Sequence, residues 1–116
     1  MRYWTLDEAL AALPEVRVLV GRLRELVAAA RPDPARAAGN GAPSGNGQGG
    51  TAGELRRALA TLTDQGIVVR DPGRGLIDFP ARSPSGRDYL LCWLDGEDTI
   101  AWWHWPDAGF AGRTPL

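Results

Sequence analysis

The chain has one cysteine, one histidine and no lysine among its 116 residues. A single cysteine excludes an internal disulfide and points to a reducing, cytoplasmic setting. A single histidine argues against the spaced Cys and His sets of structural zinc motifs. All 13 basic residues are arginine; against 14 acidic ones they leave a net charge of −1. No global field attracts nucleic acid, which is therefore not an expected partner. The missing lysine, beside abundant Ala, Gly and Pro, reads as codon bias of a GC-rich genome rather than recognition chemistry. No apolar run approaches the roughly 20 residues of a membrane helix. Asp7 and Glu8 stand where the apolar stretch of a signal peptide would lie. What the chain does have is 44% hydrophobic residues, enough for one domain with its own core and no staple.

Taken in order, Thr5-Leu6-Asp7-Glu8 is a capping box. Leu6, Leu10 and Leu13 line a short helix that Pro14 interrupts and restarts. Val16, Leu19, Val20, Leu23, Leu26, Val27 and Ala30 then recur every three or four residues, one apolar stripe. The first helical region is expected over about 6–31. Residues 32–51 are Gly-, Ala-, Pro- and Asn-rich, a flexible loop without large apolar side chains. No strand precedes it and no Gly-Lys-Ser/Thr follows, so it is not read as phosphate-binding. A second capping box, Thr51 to Glu54, opens a helix over about 53–65, with Leu55, Ala58, Leu59 and Leu62 on one face and Gly66 as its cap. The two helices are expected to form an antiparallel hairpin.

The period then changes. Ile67-Val68-Val69-Arg70 and Leu76-Ile77-Asp78-Phe79-Pro80 read as strands joined by Asp71-Pro72-Gly73-Arg74-Gly75. Tyr89 to Trp105 reads as two more, joined by the acidic turn Asp95-Gly96-Glu97-Asp98. The expected fold is therefore a single α+β domain, residues 1–116: a helical hairpin packed on an antiparallel β-meander of three to four strands over about 67–105. Residues 106–116 form an irregular tail anchored by Phe110.

The Tyr89–Trp105 hairpin holds four of the five tryptophans, the cysteine and the histidine. If Leu94 pairs with Thr99, opposed residue numbers sum to 193. Tyr89, Leu91, Trp93, Ile100, Trp102 and His104 then share one face, with Leu90, Cys92, Leu94, Ala101, Trp103 and Trp105 on the other. Cys92 and His104 cannot cooperate in that register. A bulge or an odd loop would bring them to one face.

His104 has three readings: a buried histidine in a structural hydrogen bond, a member of a ligand or metal site, or a general base. Asp78, Glu97 and Asp107 are the carboxylates that could orient it, with Glu97 preferred. Asp78 either faces solvent by alternation, which is preferred, or is buried and paired with Arg82, Arg87 or Arg113. Arg113 could equally clamp an anionic ligand. Cys92, between Leu91 and Trp93, reads as an inert buried thiol before it reads as a nucleophile. Trp102 and Trp103 must point to opposite faces, so one sheet face is expected to expose indole. An exposed aromatic face marks an interface, with Trp93, Trp102, Trp105 and Tyr89 as its residues.

The segments Gly75–Pro80, Leu91-Cys92-Trp93, Gly96-Glu97, Trp103-His104 and Asp107–Arg113 together resemble the bacterial domain-of-unknown-function 2203 family. Thr5–Ala9 and Leu13–Val16 are similar to its N-terminal signature. The resemblance spans nearly the whole chain outside the glycine loop, and it implies no assigned activity or catalytic residue.

Two functional readings follow. The first is a non-enzymatic interaction or structural protein that forms a homodimer through its aromatic sheet face. The second is a small-molecule or metal-binding protein, enzyme or not, with ligand-binding residues His104, Glu97, Asp78, Arg113 and Trp103. His104, Cys92 and Glu97 are the side chains that could contribute to a metal site. The sequence specifies neither a cofactor nor the ligand.

Overall fold

A computed structural model describes residues 2–30 and 50–116; the expected loop over 32–51 falls almost wholly outside them. Helix α1 spans Leu6–Ala30 and helix α2 spans Gly50–Asp64. Five strands follow: β1 Val68–Asp71, β2 Leu76–Arg82, β3 Asp88–Leu94, β4 Trp102–His104 and β5 Thr114–Pro115. They form one antiparallel sheet in sequence order, β1-β2-β3-β4-β5. The α+β hairpin-on-meander architecture is as expected, with one strand more. That strand lies in the tail, where sequence offered no alternation: only Thr114 and Pro115 pair with β4.

The first capping box forms as read. The Thr5 hydroxyl accepts from the Glu8 N–H at 3.0 Å, and the Glu8 carboxylate accepts from the Thr5 N–H at 2.9 Å. Pro14, however, does not end the helix; it lies inside a continuous 25-residue α1. An internal proline costs about 3 kcal/mol of helix stability. Here Leu13, Val16, Val20, Leu23 and Leu26 are buried on one side of the helix, and that burial outweighs the lost backbone bond. The second box, unlike the first, does not form. Helix α2 starts at Gly50, and the Glu54 carboxylate reaches Arg22 on α1 at 2.7 Å instead of its own N-terminus. Gly66 does cap α2, with φ of 83° and its N–H on the Thr63 carbonyl.

The register of the sheet decides everything about the site. Strand β3 pairs with β4 as Leu90↔His104, Leu91↔Trp103 and Cys92↔Trp102. The connection is residues 95–101, an odd length, so the pairing differs by one from the 193 register. The face assignment is corrected accordingly: Trp102 and His104 lie on the Cys92 side, and Trp103 lies on the Leu91 and Trp93 side. The helices cover the second of these faces. Leu13, Val16, Val20, Leu23 and Leu62 pack with Ile77, Phe79, Leu91 and Trp93 in one core. The opposite face carries Asp78, directly across from Cys92.

Candidate functional site

On that opposite face three side chains of different chemistry converge. Asp78 on β2, Cys92 on β3 and His104 on β4 are each buried, and their ligand-type atoms lie within 4.8 Å of one another. Alternation explains the convergence. Asp78 and Cys92 are cross-strand partners, and His104 is diagonal to Cys92 through its own partner Leu90.

The hydrogen bonds fix the orientation of each group. His104 Nδ1 lies 2.7 Å from the Trp105 carbonyl oxygen, which can only accept, so Nδ1 carries a hydrogen. His104 Nε2 lies 3.1 Å from both carboxylate oxygens of Asp78. Arg70 Nε donates to Asp78 Oδ2 at 2.7 Å. Arg70 stands two residues from Val68, the cross-strand partner of Asp78, and so on the Asp78 face, where the β1–β2 register shifts between Val69 and Asp71. Burial, reinforced by the charge of Asp78 and opposed by that of Arg113, pushes the Cys92 thiol up to about 12. Alone, that thiol is no nucleophile at neutral pH.

Asp78 therefore does not face solvent: it is 0% exposed. Its partners are Arg70 and His104, not Arg82, Arg87 or Arg113. Strand β2 is a central strand and both of its faces are covered, so alternation could not put Asp78 in water. The preferred partner of His104, Glu97, is elsewhere. Its carboxylate accepts from the Leu94 N–H at 2.8 Å and from Arg113 at 2.6 Å and 2.8 Å. Glu97 is thus a clasp that ties the 95–101 connection to the tail. Arg113 makes that clasp through Nη2, with its Nε buried and unbonded among the described residues, and its guanidinium lies 4.9 Å from the Trp102 ring and 4.7 Å from the Phe110 ring. Asp107 is exposed and orients nothing in the site. Arg70 is the residue that sequence reasoning missed. Nothing in its local pattern marks it; the pairing of Val68 with Asp78 puts Arg70, two residues on, on the Asp78 face.

The tryptophans are distributed differently from the expected exposed face. Trp4 and Trp93 are buried, and Trp102, Trp103 and Trp105 are each partly buried. Trp93 lies under the helices and donates through Nε1 to the Glu97 carbonyl at 3.1 Å, so it is no interface residue. Arg113 lies over Trp102, and Arg87 lies over Trp105 at 3.5 Å. Trp103 meets Tyr89 and Trp105 edge to face at 5.9 Å and 4.7 Å. Those three rings line a shallow groove of about 290 Å³ with Ser83, Pro84 and Leu116. The single chain thus buries two of the five indoles and leaves Trp102, Trp103 and Trp105 partly exposed.

A thiol, an imidazole and a carboxylate form the donor set of a borderline-soft divalent ion such as zinc, not of magnesium or calcium. The Nδ1–H of His104 on a backbone carbonyl is the outer bond that a metal-ligating histidine uses to present Nε2. Tetrahedral coordination with bonds of about 2.0–2.3 Å puts donor atoms about 3.3–3.8 Å apart. From separations of no more than 4.8 Å the groups would close by up to about 1.5 Å, and an ion on Asp78 would share that carboxylate with Arg70 or displace it. The residues fit such an ion.

No helix among the described residues is long and apolar enough to cross a membrane. No curated protein and no solved structure matches the chain. One family model does, that of an uncharacterized conserved protein, over residues 2–116. The chain therefore belongs to the DUF2203 family, whose sequence pattern spans both the helical hairpin and the sheet that carries Asp78, Cys92 and His104.

Proposed function

We propose that this protein binds one divalent transition-metal ion of the zinc class through Asp78, Cys92 and His104. The observation that carries the reading is the buried convergence of three different donor types, one from each of three adjacent strands. A structural network uses the Asp78–His104–Arg70 bonds, and the Cys92 thiol beside them packs as a small apolar group that also hydrogen-bonds Asp78. A metal site uses all three donors, with a fourth position for water or a small ligand. Metal analysis by native mass spectrometry of protein purified without added metal tests this. One ion per chain is expected, lost in Cys92→Ala and His104→Ala. Wild-type protein that neither retains an ion nor takes up Zn²⁺ or Co²⁺ stoichiometrically overturns the reading. With Co²⁺, a thiolate-to-metal charge-transfer band in the near ultraviolet identifies Cys92 as a ligand.

Self-association through the aromatic residues is the second reading, favoured by the groove of Tyr89, Trp103 and Trp105 beside the exposed Leu116. Sedimentation of wild type and Trp105→Ala decides it: a dimer that dissociates in the variant supports it, and a wild-type monomer at tens of micromolar sinks it.

A further inference from the structure

Resting on the metal-site reading, we infer that Arg70 is the gate of that site. Its guanidinium holds the carboxylate that the ion needs, and the ion enters by the cleft that Arg70 borders.

Three observations carry this. First, Arg70 Nε bonds Asp78 Oδ2 at 2.7 Å, the same carboxylate that faces His104. A divalent ion on that carboxylate would meet a guanidinium a few ångströms away, and like charges at that range repel. The two cations compete for Asp78. Second, Arg70 can leave without disturbing the core. Its side chain is 44% exposed while that of Asp78 is 0% exposed, and it stands at the bulge of β1, which is an edge strand. Third, the space lies on the correct side. A cleft of about 200 Å³ is lined by Arg70 together with Pro80, Leu90 and Pro106. Pro80, Leu90 and Pro106 each stand two residues from a donor, namely Asp78, Cys92 and His104. For Pro80 and Leu90, which lie within strands, that spacing means the donor face itself. The donors lie just beneath this lining, and on the helix side Ile77, Leu91 and Trp93 are fully buried.

The test is Co²⁺ binding to the full chain after chelator treatment, followed by absorbance in stopped flow and at equilibrium. Wild type, Arg70→Gln and Arg70→Lys are compared, with circular dichroism as the check of folding. Arg70→Gln is expected to take up Co²⁺ about tenfold faster and to hold it about tenfold more tightly. Arg70→Lys, which keeps the charge but not the fork, is expected to fall between. Should Arg70→Gln fail to fold, the Arg70→Lys rate decides alone. Variants that load at the wild-type rate and affinity overturn the gate and leave the metal site standing. Weaker binding in Arg70→Gln also overturns it, because Arg70 would then support the ion rather than compete with it. Absence of binding in all three proteins overturns both the gate and the metal reading.

Discussion

His104 Nε2 sits 3.1 Å from each oxygen of the Asp78 carboxylate, while its other ring nitrogen is committed to the Trp105 carbonyl at 2.7 Å. Because Nδ1 must donate, the Nε2 contact needs a hydrogen of its own, supplied by the ring or by the carboxyl. The pair is a hydrogen-bonded unit sealed inside the sheet, with Arg70 adding a second donor to Oδ2. A zinc-class ion would take the place of that hydrogen.

The pair should be costly to break on one side only. Asp78→Ala leaves a buried imidazole without its partner, and His104→Ala leaves a buried carboxylate with Arg70 alone. Each is expected to lose about 3–5 kcal/mol, measured by urea denaturation after chelation. Replacing both by apolar residues of similar volume should cost less than the sum of the single changes. A double-mutant cycle that comes out additive would mean that the two groups are not coupled.

The Cys92 thiol makes stability fall at high pH. Folded, it keeps its proton up to about pH 12; unfolded, it releases it near pH 8.5, to within about half a unit. Its contribution is therefore full below about pH 8.5 and is lost as pH rises toward 12. The slope is at most about 1.4 kcal/mol per pH unit. Chelator-treated wild type and Cys92→Ala, compared at pH 7.5 and pH 10.5, should converge in stability at the higher value. An aromatic disulfide reagent should leave the folded thiol unmodified at pH 8 and react with it only on unfolding.

Gly75 should tolerate no side chain. It has φ of 73°, and a Cβ there would stand 2.6 Å from Asp95 Cβ and 2.9 Å from Val20 Cγ1. Left-handed strain and steric overlap add, so Gly75→Ala is expected to cost about 2–4 kcal/mol. Gly86 has φ of 88° and open space around it, so Gly86→Ala should cost only the strain, about 1–2 kcal/mol. Equal thermal shifts for the two variants would contradict the close packing of the β1–β2 turn between α1 and the Asp95 loop.

The clasp between Glu97 and Arg113 should hold the tail onto the sheet. Arg113 is only 10% exposed in its side chain and Glu97 25%, so the pair is shielded from solvent and stronger than a surface ion pair. Arg113→Met is expected to release β5 first. Faster amide exchange is predicted for Leu116, which donates to the Ala101 carbonyl at 2.9 Å. Protection in β2 and β3 should barely change. Uniform loss of protection across the sheet would show that the tail is not a separate unit.

Much of the architecture was legible because periodicity is local. The stripe from Val16 to Leu26 and the β-branched run after Gly66 each report their own geometry without reference to the rest of the chain. The capping box at Thr5 is equally local, and it forms as written. Pro14 misled because its local penalty is offset by burial on a sheet more than 50 residues away in sequence. Thr51 and Glu54 misled because Glu54 finds an arginine on the neighbouring helix.

The site was legible in its members but not in its assembly. His104, Asp78 and Cys92 stood out as single polar or reactive residues in apolar strands. Whether they meet depends on the parity of the 95–101 connection, since one residue more or less turns His104 to the other face. Sequence by itself determined the elements, their order and the scarcity of reactive groups, because backbone propensity and composition are properties of short stretches. Only the tertiary structure decided the register, the burial of Asp78 and the arrival of Arg70, because each depends on strands meeting across many residues of intervening chain.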